Sequence, residues 1–144
     1  MGSREYPRLS RVEQYVAKIA LKHPGAVVVS GGARGVDRAA ETAAAKMGLG
    51  WVSYRPTESN AEPGSYVIVK HDHTLETIER FGSPTKEFAM DEFFSSYGRA
   101  AFERNNLIVL EADVVVAFHA NASRGTAHSI RVAQSIGRPV YIYT

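Results

Sequence analysis

The sequence predicts an α/β fold: a Rossmann-like, doubly wound domain with a mainly parallel sheet and helices on both faces. Three observations predict it. Short all-apolar runs, such as AVVV (26–29), VVVAF (114–118) and VYIY (140–143), alternate with longer stretches of helical periodicity. Two of these runs lead into Gly-rich turns that open helices. The length of 144 residues, 44% hydrophobic and 22% charged, suits one domain spanning residues 1–144.

The elements follow in order. LSRVEQYVAKIALK (9–22) puts Leu9, Val12, Val16 and Ile19 on one helical face, and Ser10 with Glu13 three residues later forms a capping-box pattern. Pro24 and Gly25 end that helix, and Ala26–Val29 reads as a buried strand. A second helix is expected over Val36–Met47, with Gly48 as its C-terminal stop. Trp51–Tyr54 reads as a strand. Residues 55–86 read as an inserted segment, either lid-like beside the ligand crevice or a surface excursion with no ligand role, with Tyr66–Val69 as a short strand and His73–Phe81 as a short helix. Lys86–Asn105 reads as a long helix, Val114–Phe118 as a strand and Thr126–Ile136 as a helix ended by Gly137-Arg138-Pro139. Val140–Tyr143 closes as a strand.

The start breaks the pattern. A doubly wound fold opens with a strand, yet MGSRE leads straight to a helix. An empty central slot would leave unpaired backbone groups, which is costly. It could be closed by a strand ahead of the given start, by the Tyr66–Val69 run, or by a partner chain.

Composition excludes several chemistries. There is no cysteine, hence no disulfide, cysteine-ligated metal or thiol nucleophile. No apolar run approaches a membrane span and the first residues carry no secretory h-region, so a cytoplasmic setting without membrane is expected. His71 and His73 share a strand face but lack a third ligand, so neither metal nor cofactor is expected. A formal charge of +2 suits a small anionic ligand better than a long nucleic-acid track.

Two turns carry the functional signal. Ser30-Gly31-Gly32-Ala33-Arg34-Gly35-Val36-Asp37 and Asn121-Ala122-Ser123-Arg124-Gly125-Thr126-Ala127-His128 both leave the carboxyl end of a strand and enter a helix. Glycines let backbone N–H groups approach an anion, and a helix N-terminus adds free donors and a favourable dipole. Ser30, Ser123 and Thr126 add hydroxyls, and Arg34 and Arg124 add positive charge. Neither turn has the Walker Gly-Lys-Ser/Thr, and GGARGVD does not space its glycines as the dinucleotide fingerprint does. Asp37 reads either as a carboxylate stabilised by the helix dipole or as a contact for a ribose hydroxyl. Arg104 reads either as a helix C-terminal cap or as a phosphate contact. His128 is the general acid or base available within the second turn, against a solvated histidine at a helix start.

Four stretches together resemble the SLOG superfamily of Rossmann-like nucleotide-binding proteins: GSREY (2–6), VVSGGARGVDRAAE (28–41), RNNLIVLEADVVVAF (104–118) and SRGTAHSIRVAQSIGRPV (123–140). That superfamily includes the lonely-guy phosphoribohydrolases, the DNA-processing protein A Rossmann domain and small stand-alone members, and the similarity is greatest to the last group. The resemblance implies that Gly2, Ser3 and Arg4, Gly31, Gly32, Arg34, Gly35 and Asp37, Arg104 and Asn105, and Ser123, Gly125 and Thr126 converge on one phosphorylated nucleotide-type ligand. It also implies a paired, homo-oligomeric form. One departure matters: the lonely-guy enzymes carry a catalytic glutamate in GGxGTxxE, and here ASRGTAHS has Ser129 at that position.

The leading expectation is therefore a binding or sensing domain for a nucleotide-derived ligand. An N-glycosidase or phosphoribohydrolase is the first alternative, with Asp37 and His128 as weak catalytic candidates and Glu87, Asp91, Glu92 and Glu103 as more distant ones. Single-stranded DNA binding is the second; its stacking aromatics would be Tyr54 and Tyr66.

Overall fold

Alternation along each strand decides which face it covers. The protein, seen as a computed structural model, is described over residues 1–56, 66–70, 75–78, 96–120 and 123–144. Its elements are α1 (Leu9–Lys22), β1 (Val27–Ser30), α2 (Val36–Lys46), β2 (Gly50–Pro56), β3 (Tyr66–Lys70), β4 (Leu75–Ile78), α3 (Ser96–Glu111), β5 (Val115–Phe118), α4 (Arg124–Ser135) and β6 (Val140–Tyr143). Val28 of β1 and Trp51 of β2 pack into a cluster with Val12, Val16, Val36 and Ala44 of α1 and α2. Their neighbours Val29 and Val52 face the other way, onto Leu107 and Ile108 of α3. A third cluster joins Val109, Val115, Val132 and Ala133 of α3, β5 and α4. The result is a layered α/β domain of the Rossmann-like kind.

The parallel core comprises β1 with β2 and β5 with β6. Beyond β2 the sheet turns antiparallel, in the order β1-β2-β3-β4. Tyr66–Lys70 thus pairs along the outer side of β2 and does not enter the slot between β1 and β5. Residues 1–3 lie in that region instead. Gly2 bridges Phe118 in the parallel sense, Phe118 N–H donates to the Met1 carbonyl at 3.1 Å, and Ser3 N–H donates to Phe118 O at 2.9 Å. The Met1 side chain touches both the second and third apolar clusters and joins the two halves. Ser3 prolongs this ladder with its side chain, donating to Ala120 O at 3.0 Å and accepting from Ala120 N at 2.8 Å.

Several expectations need correction. Leu75–Ile78 is strand β4, not part of a helix over His73–Phe81, because Leu-Glu-Thr-Ile alternates in strand fashion and β3 offers an edge. The long helix runs on through Glu111 rather than stopping at Asn105. Leu107 and Ile108 are buried in the second cluster and Val109 in the third, so packing on two sides holds the helix, and no Gly or Pro interrupts this stretch. Ser10 makes no cap: α1 starts one residue earlier, at Leu9, with Arg8 as its N-cap residue and no side-chain bond there. The remaining expectations over 57–65, 71–74 and 79–95 lie outside the described residues, including His71, His73, Glu87, Asp91 and Glu92.

Two helix ends show why the boundaries fall where they do. Gly48 has φ 72° and Leu49 N–H turns back to Ala44 O at 2.9 Å. Gly137 has φ 75° and Arg138 N–H returns to Ala133 O at 2.9 Å. A left-handed residue just past the helix satisfies its last carbonyls, and glycine takes that conformation without strain.

Candidate functional site

The starts of α2 and α4 and the N-terminal segment enclose a cavity of about 610 Å³. That is within the usual range for a small-ligand site. Gly2, Ser3, Arg4 and Glu5 line one side. Arg34 and Asp37 come from the first turn, and Arg104, Asn105 and Ile108 from α3. Ser123, Gly125, Thr126 and Ser129 come from the second turn and α4. The four separate stretches of sequence therefore meet at one place.

The first turn is held from two sides. Gly35 has φ 87°, and a Cβ there would stand 2.8 Å from Arg4 O, so the GSR segment packs directly on it. A Cβ on Gly31 would stand 2.6 Å from Arg104 Nη1. Arg104 donates to Gly31 O, and to Tyr54 O at 3.1 Å; its Nε donates to Asn105 Oδ1 at 2.9 Å. It therefore does not cap a helix C-terminus: it sits inside α3 and ties α3 to the ends of β1 and β2. Gly31, Gly32 and Gly35 do not line the cavity; they let these close approaches occur.

Ser30 also faces away. Its hydroxyl donates to the buried carboxylate of Glu41, whose other oxygen accepts from Arg55 at 3.2 Å. Arg55 Nε in turn donates to Ser53 at 3.0 Å. This network lies beneath the turn, so the Ser30 hydroxyl is committed to the fold.

The two helix starts differ in charge. At α2, Asp37 is buried, with Oδ2 accepting from Ala33 N–H at 3.2 Å and Oδ1 lacking any hydrogen-bond partner. Its charge reaches the Met1 amino group, partly opposing the fall in basicity that burial imposes there. At α4 the first turn holds no acidic residue, and Ser123 makes no side-chain cap. Ser123 Oγ donates instead to Thr126 Oγ1 at 3.3 Å, and Ser123 O takes the Ala127 N–H at 3.0 Å. The first-turn N–H groups ahead of Ala127 have no partner within the helix. Gly125 keeps this end open: a Cβ there would meet nothing nearer than Asn105 Nδ2, at 3.5 Å. Arg124 is exposed and does not line the cavity.

At the mouth, Arg34 and Glu5 form an ion pair at 3.5 Å with both side chains about 70% exposed (72% and 70%). Glu5, Ile108 and Ser129 were not foreseen as lining residues. Ile108 lies one helical turn beyond Arg104 and follows once α3 is extended past Asn105. Ser129 is fully buried and donates to Gly125 O at 3.1 Å.

His128 is not a solvated histidine, and it does not line the cavity. Its Nε2 lies 3.1 Å from Asn106 Oδ1 in the α3–α4 interface. Burial holds its pKa below the ordinary histidine value of 6.5, and the charge of Arg131 lowers it further. Tyr54 is also buried, which removes it as a stacking platform. Among the described residues no three His, Asp or Glu side chains are grouped to hold a metal. No described helix is long and apolar enough to cross a membrane.

No curated protein and no solved structure matches the chain. The family model of DNA recombination-mediator protein A matches residues 1–144. With the layered fold and the meeting of the four stretches, the chain belongs to the DNA recombination-mediator protein A family, within the Rossmann-like SLOG superfamily.

Proposed function

We propose that the cavity binds a phosphorylated nucleotide-type ligand, with its phosphate on the first turn of α4. The observation that carries this is the open helix start: N–H donors without a side-chain cap, no acidic residue in the turn, and Gly125 and Thr126 at the cavity wall. Such an end is an anion site by its donors and its dipole. Arg34 at the mouth and Asn105 beside Gly125 add donors. The role is binding or sensing, because the position of the lonely-guy glutamate is Ser129, whose hydroxyl is engaged with Gly125 O.

Thermal-shift titration with inorganic phosphate, pyrophosphate and nucleoside monophosphates tests this reading. A ligand at a hundred times its Kd raises stability by about 2.7 kcal/mol. Gly125→Val, which puts methyl groups over the N–H donors, and Thr126→Val should both remove the rise while the unliganded protein stays folded. A shift that survives both substitutions rules out the α4 turn as the phosphate seat.

The family's description favours a second reading, in which the ligand is part of a single DNA strand. Gel shifts on oligodeoxynucleotides at about 50 mM salt distinguish the two, since backbone contacts are strongest there.

A further inference from the structure

Asp37 is more than nine-tenths buried, lines the cavity, and has one carboxylate oxygen with no hydrogen-bond donor. Leaving a buried acceptor unmade costs free energy, most of all on a charged group. The start of α2 sustains the charge through its dipole, and Ala33 N–H fixes the other oxygen. The same carboxylate makes this end of the cavity a poor seat for an anion, because like charges repel strongly where water is scarce. The α4 end has the opposite character: Ser123 makes no side-chain cap there and the first turn holds no acidic residue. The cavity is thus directional: it takes an anion at α4 and a hydrogen-bond donor at Asp37.

We infer that Asp37 Oδ1 accepts from a sugar hydroxyl of the ligand whose phosphate rests on α4. This rests on the phosphate reading above and adds the chemical class. The ligand is a nucleoside phosphate with a free ribose hydroxyl, because the sugar hydroxyls are the donors carried on the same ring as the phosphate ester. A nucleotide within a DNA strand has none: its 2′ position lacks oxygen and its 3′ oxygen is esterified. The site therefore selects ribonucleotides, or a strand's 3′ end, over the interior of DNA.

The test compares adenosine and cytidine 5′-monophosphates with their 2′,3′-dideoxy analogues and with inorganic phosphate, by calorimetric titration of the wild type and of Asp37→Asn. Asparagine keeps an oxygen for Ala33 N–H and replaces the unpartnered oxygen by an NH₂ group, so the turn is preserved; thermal midpoints check this. The wild type should bind the ribonucleotides roughly tenfold to a hundredfold tighter than the dideoxy forms, the size of one charge-assisted hydrogen bond. Asp37→Asn should reduce that preference to about twofold without weakening inorganic phosphate, whose binding can only gain from the loss of a negative charge in the same cavity. A wild type that binds both sugar forms equally overturns the inference and spares the phosphate reading. So does a variant that weakens the dideoxy forms and phosphate as much as the ribonucleotides. A wild type that binds no probe, inorganic phosphate included, overturns the phosphate reading and the inference with it.

Discussion

The Arg104 guanidinium donates to the carbonyl oxygens of Gly31 and Tyr54, so one buried side chain of α3 holds the ends of two neighbouring strands. Arg104→Ala leaves both carbonyls without this donor in a dry setting. Each such loss costs about 1–3 kcal/mol, so the variant should lose roughly 3 kcal/mol in urea denaturation. Arg104→Lys should recover only part, since an ammonium lacks the planar fork. A loss under about 0.5 kcal/mol for the alanine variant would show that the strand ends are held by other contacts.

Two glycines of the site should respond in opposite ways. At Gly35, φ is 87° and an added Cβ meets the Arg4 carbonyl at 2.8 Å, so Gly35→Ala combines backbone strain with a clash against backbone. The expected cost is about 2 kcal/mol or more. Gly125 has no positive φ, and its Cβ would find only ordinary contact at 3.5 Å. Gly125→Ala should leave stability within about 0.5 kcal/mol, or raise it slightly through helix propensity. Equal losses at the two positions in thermal denaturation would contradict this assignment.

These contrasts also show what the sequence could and could not reveal. Strands and helices were legible because apolar runs end at Gly and Pro; β6 occupies Val140–Tyr143 as expected. The Gly-rich turns were legible as strand-to-helix connections. What Ser30 does was not, because its partner Glu41 is brought to it only by the packing of α2 on β1. The segment 1–3 gave no strand signal, being too short for a period; β5 imposes the ladder on it. The end of α3 was hidden because Leu-Ile-Val-Leu suits a strand as well as a buried helix.

The exposed Arg34–Glu5 pair should matter for ligand more than for fold. Both side chains are about 70% exposed, so solvent screens the pair and Glu5→Gln should change stability by less than about 0.5 kcal/mol. The same change frees Arg34 at the cavity mouth. Affinity for inorganic phosphate should rise roughly twofold to threefold at low salt, and the gain should vanish near 1 M salt. Arg34→Ala should weaken phosphate binding with the same salt dependence. An unchanged affinity in both variants would place the anion beyond the reach of Arg34.

The buried His128 gives stability a pH dependence with a definite sign. Its native pKa lies below the 6.5 of a free histidine, mainly because burial disfavours the charged ring. As pH falls below about 6.5, the unfolded chain takes up the proton first, so it binds more protons than the native state and stability declines. Above that pH the contribution is fully present; below the native pKa this residue adds no further slope. His128→Gln can still hydrogen-bond the Asn106 amide and cannot titrate. Urea denaturation between about pH 7.5 and 5 should show a shallower decline for the variant than for the wild type, the carboxylates being common to both. Parallel curves would mean that His128 ionises equally easily folded and unfolded, and that the α3–α4 interface admits its charge.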